Sequence, residues 1–256
     1  MTGKVLQNIR LEIEYDGEDY VGWQRQDPLP TIQGVLETTI GKVLGRRVIV
    51  YGSGRTDSGV HARGQVGNFY ADRHRIPCEK WTHVLNTKLP RNIRILGSRE
   101  VDFSFNAQKN ARGKVYEYRV LNRQYSSALH RRVYFCPFPL DWNRIEEALP
   151  HFIGEKDFIS FLSGPKRVKS TVRRINRFEL FRESDGFYRF EVEGNGFLKQ
   201  MVRNMIGTVL EVGQGLCAPS DIEGIIRSAG RQFAGRTVPP QGLCLLKVFY
   251  DDEQRK

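Results

Sequence analysis

Residues Tyr51 to Val66, YGSGRTDSGVHARGQV, gather glycines, one carboxylate, one histidine and two arginines, a mix that suits several chemistries. A phosphate-cradling loop needs G-x-x-x-x-G-K-[ST], in which backbone N–H groups and the lysine hold the phosphates. Gly54 and Gly59 have the first spacing, but Val60 and His61 follow, so the lysine and the hydroxyl are missing. The dinucleotide fingerprint G-x-G-x-x-G fails as well, because Asp57 stands where the third glycine belongs after Gly52 and Gly54. Asp57-Ser58-Gly59 has the D-[ST]-G form of an aspartic protease, but that chemistry needs two carboxylates sharing one proton. No second D-[ST]-G occurs in the chain. There remains a single carboxylate on a glycine-bent loop, presented to a substrate that approaches closely. Arg55 lies two residues before Asp57 and faces the same side if the segment is extended. Its guanidinium would keep the carboxylate ionised, or contact a phosphate or a base. The alternative is that Asp57 caps a turn and Arg55 pairs with it at the surface; the loop alone leaves both open.

Composition narrows the partner. The 256 residues hold 40 Lys and Arg against 29 Asp and Glu, a formal charge of +11. Such a surplus points to a polyanion, most often nucleic acid, rather than to an inert basic surface. Clusters at Arg73-His74-Arg75, Arg131-Arg132, Lys166-Arg167 with Lys169, and Arg173-Arg174 are the expected phosphate contacts. Cys78, Cys136, Cys217 and Cys244 form no C-x-x-C pair and sit at no zinc spacing, which suits reduced thiols in a cytoplasmic protein. Met1 to Arg10 lacks the apolar centre of a signal peptide, and no apolar run reaches membrane-spanning length, so no membrane association is expected.

The elements that must position these residues follow from periodicity. Ile9–Tyr15 alternates and reads as a strand ending in the Asp16-Gly17 turn. Thr31 caps a predicted helix with Ile32, Val35, Leu36, Ile40, Val43 and Leu44 on its apolar face. Strands are predicted at Val48–Tyr51, Val66–Ala71 and Ile93–Val101, with a helix near Glu79–Thr87 between the last two. The second half reads as a strand at Gly113–Asn122, a helix from Asp141 to about Leu149, and a hairpin from Arg177 to Asn195 turning at Ser184-Asp185-Gly186. FLKQMVRNMIGTVLEVG, starting at Phe197, reads as an apolar helix, Pro219–Ser228 as a short one, and Leu243–Tyr250 as a buried strand. Strands and helices mix without strict βαβ alternation, which favours an α+β fold with mostly antiparallel sheet. The tail DDEQRK is expected to fray.

Six segments, in order, resemble one family. GRTDSGVHARGQV matches G-R-T-D-x-G-V-H-x-x-x-Q-V, the signature of the tRNA pseudouridine synthase A family. EYDGEDYVGWQRQ from Glu14, LNTKLP from Leu85, KVYEY from Lys114, MVRNMIGTVLEVGQG from Met201 and QGLCLLKVFY from Gln241 match its other motifs. One departure is Gln108, where many relatives carry arginine, and it puts one RNA contact in doubt. The resemblance implies two similar halves, residues 1–108 with the aspartate loop and 109–256 with a tyrosine and an arginine, forming one continuous sheet with an RNA cleft between them. It also implies a homodimer acting on tRNA, an isomerase converting uridine to pseudouridine at positions 38, 39 and 40 of the anticodon stem-loop.

That reaction breaks the N1–C1′ bond, turns the base and forms a C5–C1′ bond, so the resemblance implies no cofactor and no metal. It makes Asp57 the nucleophile, by attack at C6, by attack at C1′ or by assisting a glycal. Arg203, set among apolar Met201, Val202, Met205 and Ile206, becomes its counter-ion. Tyr116 stacks on the uracil, removes the C5 proton, or does both. Arg55 escorts the flipped uridine, Trp23, Gln24 and Arg25 touch RNA, and Leu245 floors the site. His61 is expected to brace the loop rather than to move protons.

Overall fold

A computed structural model describes residues 6–73 and 76–251. His74, Arg75 and the expected fraying of residues 252–256 lie outside the described residues, as do the first five residues of the segment expected not to be a signal peptide. The described residues hold ten strands and five α-helices, an α+β architecture as expected. In chain order these are β1 (Leu6–Tyr15), α1 (Ile32–Leu44), β2 (Tyr51–Gly52), β3 (His61–Asp72), α2 (Trp81–Asn86), β4 (Ile93–Val101), β5 (Gly113–Asn122), β6 (Tyr134–Cys136), α3 (Trp142–Ala148), β7 (Gly154–Asp157), β8 (Val172–Arg182), β9 (Phe187–Gly194), α4 (Met201–Gly213), α5 (Asp221–Arg227) and β10 (Leu243–Phe249). Among the described residues no helix is long and apolar enough to cross a membrane.

The chain forms two compact units. One comprises residues 1–112 with 245–256, and the other residues 113–244. The division expected from sequence, 1–108 and 109–256, thus differs at the chain's end, where β10 runs back into the first unit.

In the first unit the strands lie in the order β4-β1-β3-β10, with β2 paired to β3. β1 is antiparallel to both neighbours, with Leu11 opposite Gly67 on β3 and Ser98 on β4. Ile9, Leu11 and Ile13 are fully buried, as are Ile32, Leu36 and Ile40 of α1. Thr31 caps α1 as its sequence position predicts, accepting from Gly34 N at 3.2 Å. The apolar face differs from the periodic one. Val35 and Val43 are half-exposed, and Gln33 and Glu37 are buried instead. Both polar side chains are spent on Val50. Glu37 Oε1 accepts from its N–H at 3.1 Å, and Gln33 Nε2 donates to its carbonyl at 2.9 Å. These bonds explain why Val48–Val50 is not the strand that its β-branched residues suggest. The backbone groups of Val50 are taken by a helix, and pairing starts only at Tyr51 opposite Asn68.

In the second unit the order is β5-β9-β8-β7, antiparallel throughout, with β6 parallel to β5. The hairpin is β8–β9, turning at residues 184–186 as expected, with Asp185 in the left-handed region at φ 57°. Asp141 caps α3 by accepting from Asn143 N and Arg144 N at 3.0 and 3.2 Å. α4 is almost wholly buried, but it begins at Met201 rather than Phe197, because Gln200 adopts φ 59° and breaks the helical path.

Candidate active site

The aspartate loop hangs between β2 and β3 and is fastened on three sides. Ser53 N donates to Val66 O at 2.8 Å and continues the β2–β3 pairing for one more residue. Gln65, fully buried, accepts from Ser53 Oγ at 2.6 Å and donates to Gly54 O at 3.0 Å. Thr56 is buried, its hydroxyl 2.8 Å from Tyr15 OH of β1. Arg55, exposed, and Asp57, half-buried, flank it, the alternation expected of an extended segment. Thr56 turned inward thus leaves the charged residues on either side of it more exposed than itself.

The second fastening is the segment Tyr20–Gln26. Trp23 N donates to Thr56 O at 3.1 Å, while Gly59 N and Ser58 Oγ both donate to Tyr20 O at 3.2 Å. Gly22, at φ 95°, makes this approach possible, since a Cβ there would lie 2.6 Å from Thr56 O. The loop closes on itself through Val60 N to Asp57 O at 3.2 Å. His61, the first residue of β3, is buried, its Nδ1 2.9 Å from Asp16 Oδ1 and 3.1 Å from Gly17 N. Its place at the turn after β1 is that of a brace.

Three residues expected to touch RNA lie in this unit and make contacts within it. Trp23 is 2% exposed, its ring centroid 6.1 Å from that of Tyr15, so it is core beneath the loop and offers no face to a ligand. Gln24 Nε2 donates to Gln33 Oε1 at 2.8 Å. Arg25 is shared between two carboxylates, Asp27 at 3.1 Å and Glu37 at 3.3 Å, and these bonds, led by that to Asp27, raise its pKa further. The WQRQ motif therefore joins α1 to the aspartate loop. Leu245, on β10, is buried.

In the second unit, Tyr116 lies on β5 opposite Val192 of β9. It is 7% exposed, and the ring of Phe197 meets it edge-to-face at 5.2 Å. Lys114 precedes it by two residues, and burial pushes its ammonium down to about 8. Arg203, in the first turn of α4, is 9% exposed, and its Nε donates to Val238 O at 2.7 Å. Val238 N returns a long bond to Arg203 O at 3.4 Å. Tyr118 OH donates to the neighbouring Pro239 O at 2.8 Å; burial raises its pKa well above the ordinary value, against an opposing influence from Arg203. Residues 238–239 thus tie the α4 arginine to the strand carrying Tyr116. Periodicity reveals nothing of this segment, because it is neither helix nor strand.

The basic clusters differ in exposure and in the partners shown. Arg73 pairs with Glu100, and Arg174 with Glu155 at 3.4 Å. Arg173 donates to the carbonyls of Ser170 and Val172, and burial lowers its pKa. Arg131, Arg132, Lys166, Arg167 and Lys169 are exposed, as is Gln108. Two surface pockets, of about 420 Å³ beside Arg99, Phe105 and Tyr250 and about 530 Å³ beside Lys156, Ile159 and Ile226, include none of the expected site residues.

The chain belongs to the tRNA pseudouridine synthase family, a family of isomerases, which it matches over residues 12–114 and 148–251. It is 43% identical over 246 residues to tRNA pseudouridine synthase A of Acetivibrio thermocellus, and 44% identical over 246 residues to that of Caldicellulosiruptor saccharolyticus. Each alignment covers 96% of this chain and 100% of the relative. Among solved structures, a Cbf5-Nop10-Gar1 complex aligns with 94% of this chain and 60% of its own at 13% identity and a TM-score of 0.38, too slight a likeness to define a shared topology.

Proposed function

We propose that this chain isomerises uridine to pseudouridine in tRNA, at positions 38, 39 and 40 of the anticodon stem-loop, as a cytoplasmic homodimer without cofactor. The observation that carries the reading is the family match together with a carboxylate, Asp57, held half-buried on a loop whose Ser53, Thr56 and Gln65 side chains are hydrogen-bonded within the fold. Asp57 serves as the nucleophile that engages the base or its sugar while the N1–C1′ bond breaks. Arg203 is its counter-ion, a guanidinium that keeps the carboxylate charged where water is excluded. Tyr116 stacks on the flipped uracil, removes the C5 proton, or does both; Phe197 must then yield its edge contact to the base. Arg55, exposed beside Asp57, escorts the displaced nucleotide. Leu245 forms an apolar wall, and Trp23, Gln24 and Arg25 support the RNA site from behind the loop.

The test uses tRNA tritiated at uridine C5, because isomerisation exchanges that hydrogen into water. Wild-type protein is expected to release the label from anticodon-arm uridines, and Asp57→Asn to bind the same tRNA without release. Release by the variant refutes the nucleophile. No release by folded wild type with bound tRNA refutes the activity.

A further inference from the structure

The segment Ala234–Val238 is laid along α4 by side chains on successive turns of the helix. Gly235 N donates to Thr208 Oγ1 at 2.9 Å, and Arg236 N donates to Glu211 Oε1 at 2.9 Å. At Gly207 the backbone of Arg236 passes so near that a Cβ would lie 1.7 Å from its carbonyl oxygen. The end nearest Arg203 is held differently, through the fully buried Asn204. Asn204 Nδ2 donates to Phe161 O at 2.7 Å and Ser163 Oγ at 3.0 Å, which fixes the amide's orientation. Its Oδ1 accepts from Thr237 Oγ1 at 2.6 Å and from Arg231 Nη2 at 3.1 Å. Arg231 Nη2 also donates to Thr237 Oγ1 at 3.0 Å, so the threonine hydroxyl both donates and accepts and has one orientation.

We infer that Thr237 and Asn204 are positioning residues for Arg203: their bond fixes the backbone at Val238, whose carbonyl sets the arginine's guanidinium. The inference rests on the reading that Arg203 serves the isomerisation. A guanidinium is planar and rigid, so holding Nε–H on a carbonyl defines where both terminal nitrogens lie. A bond of 2.7 Å from Arg203 Nε to Val238 O gives that hold, provided that the carbonyl itself cannot drift. The adjacent Thr237 side chain, locked to Asn204 and Arg231, removes the drift. The linkage runs from the core of the unit to the arginine without passing through a flexible side chain on the surface.

The experiment compares wild type, Thr237→Val, Thr237→Ser, Arg203→Lys and the Arg203→Lys/Thr237→Val double variant, all as full-length chain, by tritium release from C5-labelled tRNA. Thr237→Val is nearly isosteric and leaves Asn204 Oδ1 its bond from Arg231, so the fold survives; thermal denaturation checks this. Expected is about a tenfold loss in kcat for Thr237→Val with KM unchanged, the mark of an interaction that acts in the transition state. Thr237→Ser, which keeps the hydroxyl, should stay within about twofold of wild type. In the Arg203→Lys background Thr237→Val should cost nothing further, because lysine offers Val238 no Nε–H to orient. Equal behaviour of Val and Ser, a loss confined to KM, or a full tenfold loss on top of Arg203→Lys would overturn the positioning role. A wild-type rate for Arg203→Lys would overturn the parent reading of Arg203 instead.

Discussion

Gly207→Ala is the sharpest test of how the arginine helix is held. The added methyl would lie 1.7 Å from Arg236 O, whereas a relaxed carbon–oxygen contact is about 3.3 Å. The segment over α4 must therefore retreat by roughly 1.6 Å, since helix and segment are both backbone at that point. Arg203 Nε to Val238 O, now 2.7 Å, Gly235 N to Thr208 Oγ1, now 2.9 Å, and Arg236 N to Glu211 Oε1, also 2.9 Å, would all pass beyond hydrogen-bond reach. Each is worth about 1 kcal/mol net, so the loss is ~3 kcal/mol. Alanine in a helix interior returns about 1 kcal/mol over glycine. The balance is a destabilisation of ~2 kcal/mol, read as a lower urea midpoint with unchanged slope. The rate of tritium release should fall by more than about tenfold, because the arginine loses its anchor. A variant as stable as wild type would mean that helix propensity outweighs the clash, and the account of the segment as a tight strap would be wrong.

Two further outcomes follow from buried polar groups. Glu37→Ala removes the acceptor of the buried Val50 N–H, and an orphaned buried donor costs ~1–3 kcal/mol in urea denaturation; a change under ~0.5 kcal/mol would show that the bond is not holding α1 to the loop. Lys114 has its ammonium pushed from 10.5 down to about 8 by burial, so between those values the unfolded chain binds the proton that the folded chain releases. Stability should therefore rise with pH across that window, by up to ~3 kcal/mol, and Lys114→Met should abolish the rise. Urea midpoints at about pH 7 and about pH 10 that move in parallel for the two proteins would contradict this.

What the sequence made legible was whatever depends on local signals. Thr31 and Asp141 cap the helices that they precede, because a short side-chain oxygen beside an apolar run satisfies N–H groups in any context. Ile93–Val101 and Gly113–Asn122 form strands with the boundaries that their composition suggests. Legibility ends where distant side chains decide. The Val48–Val50 run loses its strand to Gln33 and Glu37, polar residues on a helix face where periodicity expected valines. Val35 and Val43 do not report that swap, because a helix tolerates a half-exposed valine at little cost. The start of α4 at Met201 turns on the positive φ of Gln200, a residue type that gives no warning of it.

The same distinction separates the residues proposed to react from those that hold them. Asp57 is marked by glycines and an arginine around it, since a loop that admits a ligand must be bent and charged, and such residues stand adjacent in sequence. Its supports are Tyr15, Tyr20, Trp23 and Gln65, three of them tens of residues away, and periodicity marks none of them as a support of the loop. Arg203 repeats the pattern, since its bond goes to Val238, and the proposed hold on that residue to Thr237, both more than thirty positions later. Trp23 shows the consequence most clearly. Its motif reads as an RNA contact, but its main-chain N–H holds Thr56, the buried residue between Arg55 and Asp57. A side chain can thus matter to a reaction by fixing the backbone beneath the reacting group, and a buried tryptophan does this better than an exposed one, because burial removes its freedom to move.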